Sequence, residues 1–82
     1  MKYVMYGSPN CTYCHSAKDL FEQKGIEYEY RDISADPVAK EFLLDLGVRT
    51  VPQILLEDDI GEGISRYSLI GGYDALCEHL RN

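Results

Sequence analysis

Long apolar runs are absent from this chain of 82 residues. Nothing in it approaches the roughly 20 consecutive apolar residues that a membrane helix needs. The four that follow Met1-Lys2, from Tyr3 to Tyr6, are too few for a signal-peptide core, so a cytoplasmic address is expected. Positive charge is also scarce: eight Lys and Arg face fourteen Asp and Glu, a formal net charge of -6. These cations are scattered, and without a cluster to replace counterions neither nucleic acid nor an anionic membrane is expected as a partner. Cysteine is limited to three residues, an odd number that argues against a secreted disulfide scaffold and for a compartment where thiols do chemistry. No repeat or low-complexity tract interrupts the sequence. Its length suits one core, so residues 1–82 are read as a single domain that folds alone, as a monomer.

What is present is a pair of thiols, Cys11-Thr12-Tyr13-Cys14, between a short apolar strand and an amphipathic helix. The first turn of a helix offers unpaired N–H groups and a partial positive charge, which favours a thiolate at Cys11. Cys14, one turn later, is close enough to form a disulfide with it. So small a ring constrains few unfolded conformations, and the pair therefore reads as a redox pair rather than a structural staple. Cys11 and Cys14 are the expected catalytic residues. From Thr12 to Lys24 the apolar positions Cys14, Ala17, Leu20 and Phe21 recur at three- and four-residue steps, which puts Cys14 on the core-facing stripe and Cys11 at the tip. The accessible thiol would attack a disulfide, and the shielded one would resolve the product.

The rest of the chain alternates strands and helices. Lys2 to Tyr6 reads as a buried strand, and Gly25 ends the first helix. Ile26, Tyr28 and Tyr30 alternate with Glu27, Glu29 and Arg31 as a second strand. Asp36-Pro37 caps a second helix whose apolar face is read as Val38, Ala39, Phe42, Leu43 and Leu46, with Gly47 closing it. Gln53 to Glu57 is a third strand, Asp58 to Gly63 an acidic loop, and a fourth strand falls within Ile64 to Ile70. Asp74 then lies at the start of a last helix carrying Leu76 and Leu80. The expected fold is α/β in the order βαβαββα, a four-stranded mixed sheet flanked by helices.

This order resembles the glutaredoxins over almost the whole chain. The signals are Cys-x-x-Cys opening the first helix, Thr50-Val51-Pro52 before the third strand and Gly71-Gly72-Tyr73-Asp74 before the last helix. Tyr13 before the second cysteine is the glutaredoxin form of the motif rather than the thioredoxin form. The resemblance implies a thioredoxin-like (glutaredoxin) fold and a glutathione-dependent thiol:disulfide oxidoreductase that reduces protein disulfides and glutathione mixed disulfides. Glutathione would be its reductant, disulfide-bearing or glutathionylated proteins its partners, and ribonucleotide reductase a candidate client. It also implies that Pro52 is cis and faces the cysteines, while Val51 offers its backbone to substrate as an added strand would. Gly72, Tyr73 and Asp74 would hold the γ-glutamyl end of glutathione, with Tyr13 and Thr50 lining the groove.

Departures from the family pattern sharpen the expectations. Thr12 follows the first cysteine where many glutaredoxins have proline, and its N–H could donate to the sulfur. Ser8 stands where many have a lysine for the glycine-end carboxylate of glutathione, which leaves Arg49 as a candidate cation. A zinc module is the first rival, with Cys77, His15 and His79 as further ligands. There is no second Cys-x-x-Cys, and His15 points about 100° away from Cys14 around the helix, so no metal is expected. Two alternatives keep the fold: a glutathione-assisted [2Fe-2S] cluster site, and a thioredoxin-like donor coupled to thioredoxin reductase.

Overall fold

The computed structural model describes residues 2–59, 61 and 65–81. Its elements are β1 (Lys2–Gly7), α1 (Thr12–Gln23), β2 (Tyr28–Asp32), α2 (Pro37–Asp45), β3 (Gln53–Asp59), β4 (Ser65–Gly71) and α3 (Tyr73–His79), the expected βαβαββα order. Strand β1 is central. Val4 lies opposite Glu29 in a parallel pair with β2 and opposite Leu55 in an antiparallel pair with β3. β4 adds antiparallel to β3, for the sheet order β2-β1-β3-β4. The parallel pair needs the helical crossover that α1 supplies, whereas β3 and β4 need only a direct return.

Alternation along β1 builds two half-cores. Val4 and Tyr6 pack with Ala39, Leu43 and Leu55 under α2, while Met5 faces Ala17, Phe21, Ile54 and Leu76 under α1 and α3. Full burial of Val4 and Met5 contributes about 1.5–3 kcal/mol each relative to exposure, which anchors the strand that ends beside the cysteines.

Glycine closes both long helices by the same device. Gly25 (φ 66°) donates to Glu22 O at 3.1 Å and Ile26 to Phe21 O at 2.9 Å. Gly47 (φ 80°) donates to Leu44 O at 3.0 Å and Val48 to Leu43 O at 3.3 Å. These are the paired bonds of a Schellman cap, for which a left-handed residue is required. The cap uses the Ile26 amide, and β2 accordingly begins at Tyr28 rather than at Ile26. At the other end of α2, Asp36 Oδ1 accepts from Val38 N at 3.1 Å and Ala39 N at 3.3 Å, with Pro37 in the first turn.

Two expectations are corrected. Val38 is 75% exposed and outside the apolar face of α2, because about 100° per residue puts it roughly 140° from the buried Leu43. Asp58 and Asp59 belong to β3 rather than to the acidic loop: Asp58 pairs across the ladder with Arg66 and Asp59 with Ser65, so opposite charge at the sheet end extends the strand. Of that loop, Ile60, Glu62 and Gly63 lie outside the described residues, as does Ile64 at the expected start of the fourth strand.

Candidate active site

Cys11 is the N-cap of α1, with extended backbone (φ -97°, ψ 113°), so its sulfur sits over the open first turn of the helix. That sulfur accepts from Cys14 N at 3.1 Å, and its S–H donates to Val51 O at 3.5 Å. The backbone donor on the sulfur is thus Cys14 rather than Thr12. The preceding turn is held by Cys11 N donating to Ser8 O at 3.3 Å and by the His15 ring against Pro9 O at 3.0 Å. Both thiols are free, Cys11 half-buried and Cys14 fully buried. Burial pushes the Cys14 thiol up to about 12, the hydrogen bond with Cys11 adds to this, and the Ser8 backbone and the Lys18 charge act against it.

Behind Cys14 the fold leaves no spare room. A methyl group added at Gly7 would stand 2.7 Å from Cys14 Sγ and 3.2 Å from the Tyr30 ring. Lys18, one turn after Cys14, places its Nζ 3.7 Å from the centroid of that ring.

Val51, whose carbonyl takes the Cys11 S–H, helps to line a cavity of about 460 Å³ together with Tyr13, Thr50, Pro52, Gly72, Tyr73, Asp74 and Ala75. Three separate segments meet there: the start of α1, the approach to β3 and the start of α3. The Val51–Pro52 bond is cis. Gln53, buried, donates from Nε2 to Thr50 O at 2.9 Å and to Thr50 Oγ1 at 3.1 Å, which fixes the loop carrying Val51. The Tyr13 and Tyr73 rings face each other at 5.9 Å, and a hydrogen bond with the Cys77 thiol raises the Tyr73 hydroxyl above its ordinary range. Every groove residue expected from the sequence except Arg49 is among the lining residues. Arg49 instead lines a separate cavity with Ile33, Lys40, Leu43, Leu44 and Val48. Sequence reading missed Ala75, which only its place beside Asp74 could have signalled. It also missed Lys18 and Tyr30, although Lys18 stands four residues from Cys14, one turn along the same face.

The glutaredoxin family model matches residues 3–60. The chain belongs to the glutaredoxin family. It is 41% identical to a glutaredoxin of Haemophilus influenzae over 63 residues, which cover 67% of this chain and 72% of that one. It is 34% identical to glutaredoxin 3 of Escherichia coli over 78 residues, 90% of this chain and 94% of that one. Among solved structures, a buckwheat glutaredoxin–glutathione complex superposes with a TM-score of 0.70 at 29% identity, covering 96% of this chain and 67% of that one. Membership of the glutaredoxins makes this a thiol–disulfide oxidoreductase with the thioredoxin-like fold. Among the described residues, no group of three or more His, Cys, Asp or Glu could hold a metal ion, and no helix is long and apolar enough to cross a membrane.

Proposed function

We propose that the protein is a glutathione-dependent oxidoreductase, a cytoplasmic monomer of one domain that reduces protein disulfides and glutathione mixed disulfides through Cys11 and Cys14. One observation carries this reading: the half-buried Cys11 sulfur meets the carbonyl of Val51, which lines a groove whose other lining residues all come from the glutaredoxin motifs and their neighbours. The Cys11 thiolate, facing the open amides of α1, attacks one sulfur of a disulfide; that bond breaks, a mixed disulfide forms, and the other sulfur leaves as a thiol. An extended substrate segment runs past the main chain at Val51, which recognises backbone without reading side chains. Cys14 then attacks Cys11 and releases the reduced protein. When the substrate carries glutathione, Cys11 takes the glutathione and passes it to a second glutathione molecule. Asp74 receives the amino group of the γ-glutamyl end, and the first amides of α3 its carboxylate.

A second reading has its own support. None of the residues lining the groove is a cation, with Ser8 short and uncharged and Arg49 at another cavity. A groove without Lys or Arg suits a donor reduced by thioredoxin reductase. Steady-state reduction of a small disulfide with glutathione and glutathione reductase, against the same assay with thioredoxin reductase, separates the two. The proposal expects turnover in the first; turnover only in the second would replace it. Ribonucleotide reductase, a client suggested by the family, is tested by adding the reduced protein to that enzyme in the absence of other dithiols.

A further inference from the structure

The resolving step sets a problem that the groove does not solve. A thiol with no exposed surface must lose its proton before it can attack, and burial opposes that loss. Charged and titratable groups face Cys14 from two elements. On α1 they are Cys11, which carries no charge once it is held in the mixed disulfide, and Lys18, one turn further on the same face. On β2 it is Tyr30, whose hydroxyl burial keeps neutral; Asp32, on the same strand, acts on Tyr30 and Lys18. The Ser8 backbone adds a dipole from the turn. Lys18 is the only cation of the set.

The ammonium of Lys18 is not left to wander. It rests over the Tyr30 ring at 3.7 Å, and the edge of that ring and Cys14 Sγ both border the space that a side chain at Gly7 would fill. Gly7, with no side chain, lets ring and sulfur close on the strand end together. We propose that Lys18, seated on Tyr30, is a positioning residue for the resolving thiol, holding a positive charge beside Cys14 while it ionises. This rests on the reading of Cys14 as the resolving cysteine. In the step itself Cys14 gives its proton to solvent, its thiolate bonds to Cys11 Sγ, and the bond from Cys11 to glutathione or client sulfur breaks. The leaving thiolate then takes up a proton. One disulfide replaces another, so no outside oxidant or reductant is needed.

The test starts from protein carrying glutathione on Cys11 and follows its release as Cys14 closes the internal disulfide, across a range of pH. Lys18→Met should move the midpoint of the rate profile to higher pH and slow release at neutral pH several-fold, because the thiolate loses the cation that favours it. Lys18→Arg should restore most of the rate, and Lys18→Met in a Cys14→Ser background should leave glutathione exchange at Cys11 unchanged. An unaltered midpoint in Lys18→Met would overturn the proposal, and so would equal slowing in the Cys14→Ser background, which would place the effect at Cys11. If the parent protein releases no glutathione and forms no Cys11–Cys14 disulfide, the resolving role of Cys14 fails instead, and the proposal with it.

Discussion

Residue by residue, the two cysteines differ through their surroundings rather than their chemistry. Cys11 caps a helix and is half-buried against Val51 O, whereas Cys14 has no exposed surface and a thiol pushed up to about 12. Brief treatment with iodoacetamide between pH 7 and 9, followed by peptide mapping, should therefore label Cys11 and leave Cys14 unmodified; mapping is needed because Cys77 is also part-exposed. Labelling of Cys14 at a rate matching Cys11 would mean that the core opens freely around α1. Asp74 is exposed on α3 and supports no other element through a side-chain cap, since the N-cap is Gly72. Asp74→Ala should raise the KM for glutathione several-fold with the melting temperature unchanged. A fall in melting temperature with an unchanged KM would make it a helix-end charge alone.

The elements owe their boundaries to local chemistry that can be checked one cap at a time. Asp36 Oδ1 satisfies two amides of α2, and Asp36→Ala should cost about 1 kcal/mol, a drop in Tm on the order of 4–8 °C for a domain of this size. The β1–β2 edge depends on charge: hydrogen bonds from Arg31 first, then Lys2, hold the Glu29 carboxyl below its usual range. A depressed carboxylate stabilises the fold above its unfolded pKa, and the contribution is lost as pH falls through the folded value. Glu29→Gln should thus lower stability at pH 7 by no more than about 1 kcal/mol, because the pair is solvent-screened, and make no difference well below pH 4. Denaturant unfolding at the two pH values reads both. Helices were more legible than strand ends for a physical reason. Gly25, Gly47 and Asp36-Pro37 mark helix termini in the sequence itself, whereas the reach of β3 through Asp58 and Asp59 depends on Arg66 and Ser65 across the ladder, which no local pattern reveals.

Across the whole molecule, the site is a meeting of segments far apart in sequence. Tyr13, Thr50, Val51, Pro52 and the Gly72-Tyr73-Asp74 turn were legible because each belongs to a short motif, and the sheet order brings the motifs to one end. The surroundings of Cys14 were not. Gly7 reads as an ordinary strand-end glycine and Tyr30 as one of two alternating tyrosines, and only the parallel pairing of β1 with β2 sets them against the same sulfur. Arg49 shows the converse: a cation suited by charge to the groove was carried by the backbone to another cavity. The central claim is that one thiol starts both reactions and the other completes only one. It is tested most directly by assaying Cys11→Ser and Cys14→Ser side by side on a protein disulfide and on a glutathionylated peptide. Cys11→Ser should abolish both activities, and Cys14→Ser should abolish reduction of the protein disulfide while sparing deglutathionylation. Equal loss of deglutathionylation in the two variants would contradict the division of roles.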